Sequence, residues 1–258
     1  MRTHIRWSLT LAPLALLAVA GCASSTEHAA HWSYQGESGP ANWGAMNPEW
    51  SMAHAGRAQS PINLSQGASV KADLAPLRFT SGRTVITPRD NGHTVQWDCD
   101  GMNTMTVGNE VYALKQFHFH APSEHTVDGQ HYPVELHFVH ANAKGNLAVV
   151  SVMLAESGST NEIYRMLAAT IPQDGGEHAA SMTAQTIFSP YSLLPSARRY
   201  ATYQGSLTTP PCTEGVRWIV LTSPARVSSE QVATFTETYF GNARPVQPVN
   251  GRLVLVND

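Results

Sequence analysis

The stretch Gln116-Phe117-His118-Phe119-His120, followed by Val134-Glu135-Leu136-His137-Phe138-Val139, decides how this chain folds. Residues i and i+2 of a strand point to the same face. Gln116, His118 and His120 therefore look one way, and Lys115, Phe117 and Phe119 the other. The second run repeats the pattern, with Glu135, His137 and Val139 on one face and Val134, Leu136 and Phe138 on the other. Laid side by side, the two strands bring three imidazoles to one point. Gln116 and Glu135 each stand two residues before a histidine on its own face, able to accept a hydrogen bond from the ring nitrogen that does not bind metal. Three neutral nitrogen donors leave the fourth position of a tetrahedral Zn2+ open, the arrangement of a catalytic rather than a structural site.

On either side of this pair, short apolar stretches alternate with Gly, Pro and Asn turns, which predicts a mainly β body. Strands are expected at 77–79, 93–98, 104–107, 114–120, 134–140, 147–154, 216–222 and 253–256. The run Leu147-Ala148-Val149-Val150-Ser151-Val152-Met153-Leu154 is apolar on both faces and predicts a central strand covered on both sides. Two helices are legible. Ser159 and Glu162 form a capping-box pattern ahead of Ile163, Met166 and Leu167; Ser228 and Gln231 do so ahead of Val232, Phe235 and Tyr239, with Gly241 as the stop. The chain has 258 residues, 42% of them hydrophobic and 14% charged, enough for one compact domain with a sizeable core. No Pro- or Ser-rich linker divides it after residue 31, so the domain is expected over 32–258.

The N-terminus reads as a targeting segment. Arg2, His4 and Arg6 precede a short apolar run at 8–20, too short to cross a membrane and suited to export. Val19-Ala20-Gly21-Cys22 resembles the lipobox of bacterial lipoproteins. The expectation is a signal at 1–21, a lipid on Cys22 and a tether at 22–31, giving an anchored protein that faces the periplasm. Acyl chains contribute about 0.8 kcal/mol per buried CH₂, so several of them hold a protein firmly on a bilayer. Without the signal, 14 Lys and Arg stand against 19 Asp and Glu. That balance argues against nucleic acid, whose phosphates call for a basic face.

Of twelve histidines, six fall between residues 118 and 140. His125, His131 and His140 lack the paired acceptor and are read as structural or surface side chains. There is no H-E-x-x-H helix, no G-x-S-x-G elbow and no glycine-rich phosphate loop.

QFHFHAPSE at 116–124, ELHFVH at 135–140, YQGSLTTPPC at 203–212, QSPINL at 59–64, Asn91-Gly92-His93 and NARP at 242–245 resemble, in order, the landmarks of the α-class carbonic anhydrases. Trp32, Tyr34 and Trp43 are similar to that family's N-terminal aromatic cluster. The resemblance implies a single domain with a large, twisted, mostly antiparallel central sheet and short peripheral helices. It implies zinc on His118, His120 and His137 and reversible hydration of CO₂ to bicarbonate and a proton. Glu124 and Thr208 would orient the attacking oxygen and His93 would carry the proton away. Val139, Val149, Leu207 and Trp218 would wall the CO₂ site, and Thr209 would meet bicarbonate. Exported members pair the cysteine matching Cys212 with one before the QSPI-like motif. Here that region reads Met52-Ala53-His54-Ala55-Gly56, which leaves Cys99 and Cys212 without the usual bridge. Ser60-Pro61 and Pro210-Pro211 resemble cis positions of the family. A non-catalytic periplasmic zinc-binding lipoprotein gives no reason for Glu124, Thr208 and His93 together; an inactive carbonic-anhydrase-like module typically loses a ligand histidine, and here all three stand.

Overall fold

The fold is built around the two histidine strands, which pair as their alternation predicts. The computed structural model describes residues 31–257 except Arg83, Gly101 and residues 172–185; the expected export signal, Cys22 and most of the expected tether lie outside that set. Seven strands form the heart of the sheet: β1 (Thr84–Asp90), β2 (Val95–Cys99), β3 (Glu110–His120), β4 (Val134–Asn142), β5 (Leu147–Ser157), β6 (Tyr200–Ser206) and β7 (Glu214–Leu221). Their spatial order is β1-β2-β3-β4-β5-β7-β6 within a thirteen-stranded sheet. Neighbours run antiparallel except β5 and β7, which are parallel.

One face is apolar and covered. Phe117, Phe119, Leu136, Phe138, Val150 and Val152 are fully buried there, together with Tyr164 and Leu167 of α1 (Glu162–Ala168) and Phe235 of α2 (Ser229–Thr238). Each such side chain stabilises the fold by roughly 1.5–3 kcal/mol through burial. The opposite face carries the imidazoles and a second cluster made of Val149, Met153, Tyr203, Trp218 and Val220. β5 is buried without a break from Ala148 to Leu154, as a strand covered on both faces must be.

The alternation stops at Lys115. Val139 pairs with Gln116 but His140 pairs with Leu114, so one extra residue sits in β3. Such a bulge inverts the parity of what precedes it. Leu114 and Tyr112 therefore join the apolar cluster of Phe117 and Phe119, and Lys115, expected on that face, is exposed.

Two expectations are corrected. Ser159 does not cap α1: Asn161 does, its side chain accepting from the Ile163 N–H at 3.2 Å. Asn161 is also held by Gln231, whose Nε2 donates to its carbonyl at 2.7 Å, so the two helix starts clasp each other. The Ser228–Gln231 capping box on α2 forms as read. β1 and β6 were not anticipated. Among the described residues, β1 is paired on its outer side at Thr84–Ile86, and Pro88 lies beyond that stretch; a missing donor is tolerated at such an edge. Tyr203–Ser206, the first part of the 203–212 landmark, is the end of β6.

Candidate metal centre and active site

His118 and His137 sit directly opposite each other across β3 and β4, and His120 lies opposite Glu135. One ring nitrogen from each of the three histidines falls within 4.8 Å of the other two. Their remaining nitrogens are engaged: His118 Nδ1 with Gln116 Oε1 at 2.8 Å, His137 Nε2 with Glu135 Oε1 at 2.8 Å, and His120 Nδ1 with the Asn242 carbonyl at 2.7 Å. All three partners are acceptors, so each ring donates outward and turns a lone pair inward. The buried His120 Nε2 has no hydrogen-bond partner, which is costly unless a cation takes its lone pair. Burial, together with the neighbouring imidazoles, holds His118 well below the usual histidine range. Burial also lowers His137 and brings His120 down to about 4. The trio is therefore neutral at pH 7, the form that binds metal. Among the described residues no fourth His, Cys, Asp or Glu joins it. The donor set fits zinc with one position left for solvent.

Glu135 anchors a network that the i, i+2 pattern could not reveal. It accepts from His137, from the Ser151 hydroxyl, from His125 Nδ1 at 2.7 Å and, through Oε2, from the His125 backbone N–H at 2.8 Å. Burial pushes this carboxyl up, but His125 and His137 more than offset that and leave it well below the ordinary range. His125 Nδ1 donates, so its Nε2 accepts from the Tyr203 hydroxyl at 2.6 Å; Tyr203 in turn meets Ser60 Oγ at 2.9 Å. His125, Glu135 and His137 also form a compact trio of donors, but they are already bonded to one another. His125 is thus structural, as read, although it acts through the acceptor of a candidate ligand. His140 is structural too, buried between Phe138 O and the Tyr191 hydroxyl.

Glu124 is fully buried with Oε2 3.6 Å from His120 Nε2 and 3.9 Å from His137 Nδ1. Its Oε1 accepts the Arg244 backbone N–H at 2.9 Å. Burial raises this carboxyl to about 7 against the opposing pull of His137, the Arg244 N–H and the Thr208 hydroxyl. Val139, Val149 and Trp218 are consecutive partners across β4, β5 and β7, and they share an apolar cluster with Leu207. Trp218 also packs its ring 4.9 Å from that of His137. Thr209 is half-buried where the loop turns back, the Cys212 N–H donating to its carbonyl at 2.8 Å. His93 stacks on Trp32 at 3.5 Å, and Trp32 in turn meets Tyr34 and Trp43 edge-on. Asn242 ties this loop to the imidazoles: its side chain donates to His93 O at 3.1 Å while its own carbonyl holds His120.

Cys99 and Cys212 are both free thiols. Where a bridge is absent, Glu214 and Gln59 tie the Cys212 segment to the QSPI-like stretch, Gln59 Nε2 donating to the Cys212 carbonyl at 3.1 Å, and Arg244 braces that stretch from elsewhere. Glu214 Oε1 accepts from the Ala58 N–H at 2.7 Å, and Arg244 donates to Gln59 Oε1 and Ser60 O. The peptides before Pro61 and Pro211 are cis as expected, and so is that before Pro122.

A family profile for eukaryotic-type carbonic anhydrase matches residues 38–258. A carbonic anhydrase of Klebsiella pneumoniae is 45% identical over 233 residues, 89% of this chain and 92% of its own length. One from Pectobacterium atrosepticum is 39% identical over 94% of this chain and 97% of its own. The solved α-carbonic anhydrase of Thermovibrio ammonificans, in complex with the inhibitor sulfanilamide, is 42% identical. It superposes with a TM-score of 0.82 over 88% of this chain and 99% of its own. With the histidine centre in place and the match running nearly end to end, the chain belongs to the eukaryotic-type, or alpha, carbonic anhydrase family.

Proposed function

We propose that this protein is a zinc-dependent carbonic anhydrase that interconverts CO₂ and bicarbonate with release or uptake of a proton. One observation carries the reading: three neutral imidazoles converge, each oriented by a separate acceptor, with a partnerless nitrogen buried at their centre. Zinc held by His118, His120 and His137 supplies a Lewis acid that acidifies water at its open position, chemistry for which this family is itself the standard example. Gln116, the Asn242 carbonyl and Glu135 keep the rings in the required tautomer. In its ionised form Glu124 only accepts, so it takes the Thr208 hydroxyl as a hydrogen-bond donor; Thr208 is left to accept a hydrogen bond from the attacking solvent molecule and so to aim that molecule's lone pair at carbon. Val139, Val149, Leu207 and Trp218 offer CO₂, which has little to hydrogen-bond, an apolar wall. Thr209 contacts bicarbonate at the rim. His93 takes the released proton outward, since imidazole titrates near neutrality.

The N-terminal segment supports a cell-envelope location, with 1–21 as a cleaved lipoprotein signal and the mature chain anchored through Cys22. Mass spectrometry of the mature N-terminus tests this: a diacylglyceryl-modified Cys22 is expected, and an unmodified thiol overturns the anchor. Stopped-flow CO₂ hydration before and after chelation tests the activity. The rate is expected to vanish with the metal and return on stoichiometric zinc; undiminished activity in metal-free protein overturns the reading.

A further inference from the structure

The turn between β1 and β2 carries His93, and residues 239–242 grip that turn at both ends. Within it, Asn91 Oδ1 accepts from the His93 and Thr94 N–H groups, each at 3.0 Å. At the far end, Asn242 Nδ2 donates to the His93 carbonyl at 3.1 Å. At the near end, the Tyr239 hydroxyl donates to Asp90 Oδ1, the same oxygen that accepts the Gly92 N–H at 2.8 Å. Asp90 closes β1, buried and paired with Val95. Tyr239 directly follows α2, its N–H donating to Phe235 O at 3.2 Å while its side chain packs on the apolar cluster of the covered face. Burial, reinforced by Asp90, pushes the Tyr239 phenol well above its ordinary range, so it keeps its proton and donates. Asn242 also holds His120, whereas the bond from Tyr239 goes to the turn.

We propose that Tyr239 is a positioning residue for proton release, acting through the Asp90 carboxylate to hold the turn that presents His93. Hairpin tips are where local opening costs least. Removing the phenol leaves a buried carboxylate short of a donor, which favours a rearranged turn. A proton carrier displaced by even an ångström loses much of its rate advantage. The proposal rests on His93 as the proton carrier, so its test follows the His93 ring as well as turnover.

Zinc-loaded Tyr239→Phe is compared with the parent, with His93→Ala and with the double variant. In weak buffer Tyr239→Phe is expected to lower kcat about tenfold, with kcat/KM and zinc stoichiometry spared and imidazole buffer restoring the rate. The double variant should lose no more than His93→Ala alone, since the two side chains act in series. The His93 ring resonance, assigned by its loss in His93→Ala, is shifted by the indole of Trp32 stacked 3.5 Å away. In Tyr239→Phe it should move toward the position of free imidazole. A resonance left in place overturns the proposal whether or not His93 carries protons. So does an unchanged kcat where His93→Ala lowers it, an equal fall in kcat/KM, or a further loss in the double variant. A moved resonance with His93→Ala at full kcat would instead fault the proton-carrier reading and leave the clamp standing.

Discussion

At the scale of single residues, the acceptors behind the imidazoles and the groups beyond them divide the labour. Glu135 orients His137 while anchored from three other donors, so Glu135→Gln presents an amide to His125 where a carboxylate stood. Zinc affinity is expected to fall about 10–100-fold, the usual effect of removing an outer acceptor; competition with a chromogenic chelator measures it. His93 lies outside the ligand set, stacked on Trp32. His93→Ala is expected to lower kcat in weak buffer by about a hundredfold, the lower end of what a positioned proton carrier supplies, with kcat/KM spared. Imidazole buffer should restore the rate. An unchanged kcat would remove His93 from the proton path. His118, His120 and His137 were legible because strand parity exposes such patterns in one dimension. His125, Ser151 and Tyr203 were not, since their link to Glu135 depends on strand pairing and chain return that local spacing does not encode.

At the scale of elements, register does the work. Val139, Val149 and Trp218 come from three different strands yet form one row because β4, β5 and β7 pair in that alignment. Val149→Phe should fill the apolar wall without touching a ligand. The expected result is a kcat/KM at least about tenfold lower with zinc stoichiometry unchanged, the discrimination a hydrophobic pocket shows for small changes in volume. Steady-state hydration rates with metal analysis check both halves. Most strand positions could be read from alternation, but their bounds moved where tertiary context intervened. The Lys115 bulge inverted the face of β3, an edge position accommodated Pro88, and Asn161 outcompeted Ser159 as a cap because Gln231 of the other helix holds it in place. Each of these is a long-range effect acting on a locally sensible pattern.

At the scale of the whole molecule, buried imidazoles tie stability to pH. His140 is away from the triad, and burial lowers it from 6.5 to about 4, against the hydrogen bonds of Phe138 and Ala148. The unfolded chain therefore binds a proton at higher pH than the folded one. The stability at stake is fully present above about 6.5 and is lost as pH falls toward 4. At 1.36 kcal/mol per pH unit it amounts to about 3 kcal/mol at most. His140→Gln is expected to flatten the fall of unfolding free energy across that window, whatever its effect at pH 7. Denaturant titrations of both proteins from pH 7 to 4 measure the difference in slope, and parallel curves would assign the acid sensitivity elsewhere.

The carbonyl that steadies His120 belongs to Asn242, far downstream of the strands it serves. A polypeptide emerging from its N-terminus first would therefore complete the β3–β4 hairpin long before this last brace arrives. Metal capture in its final, rigid form is thus deferred to the end of synthesis. A chain cut short of residue 242 would carry every ligand and still lack a finished socket.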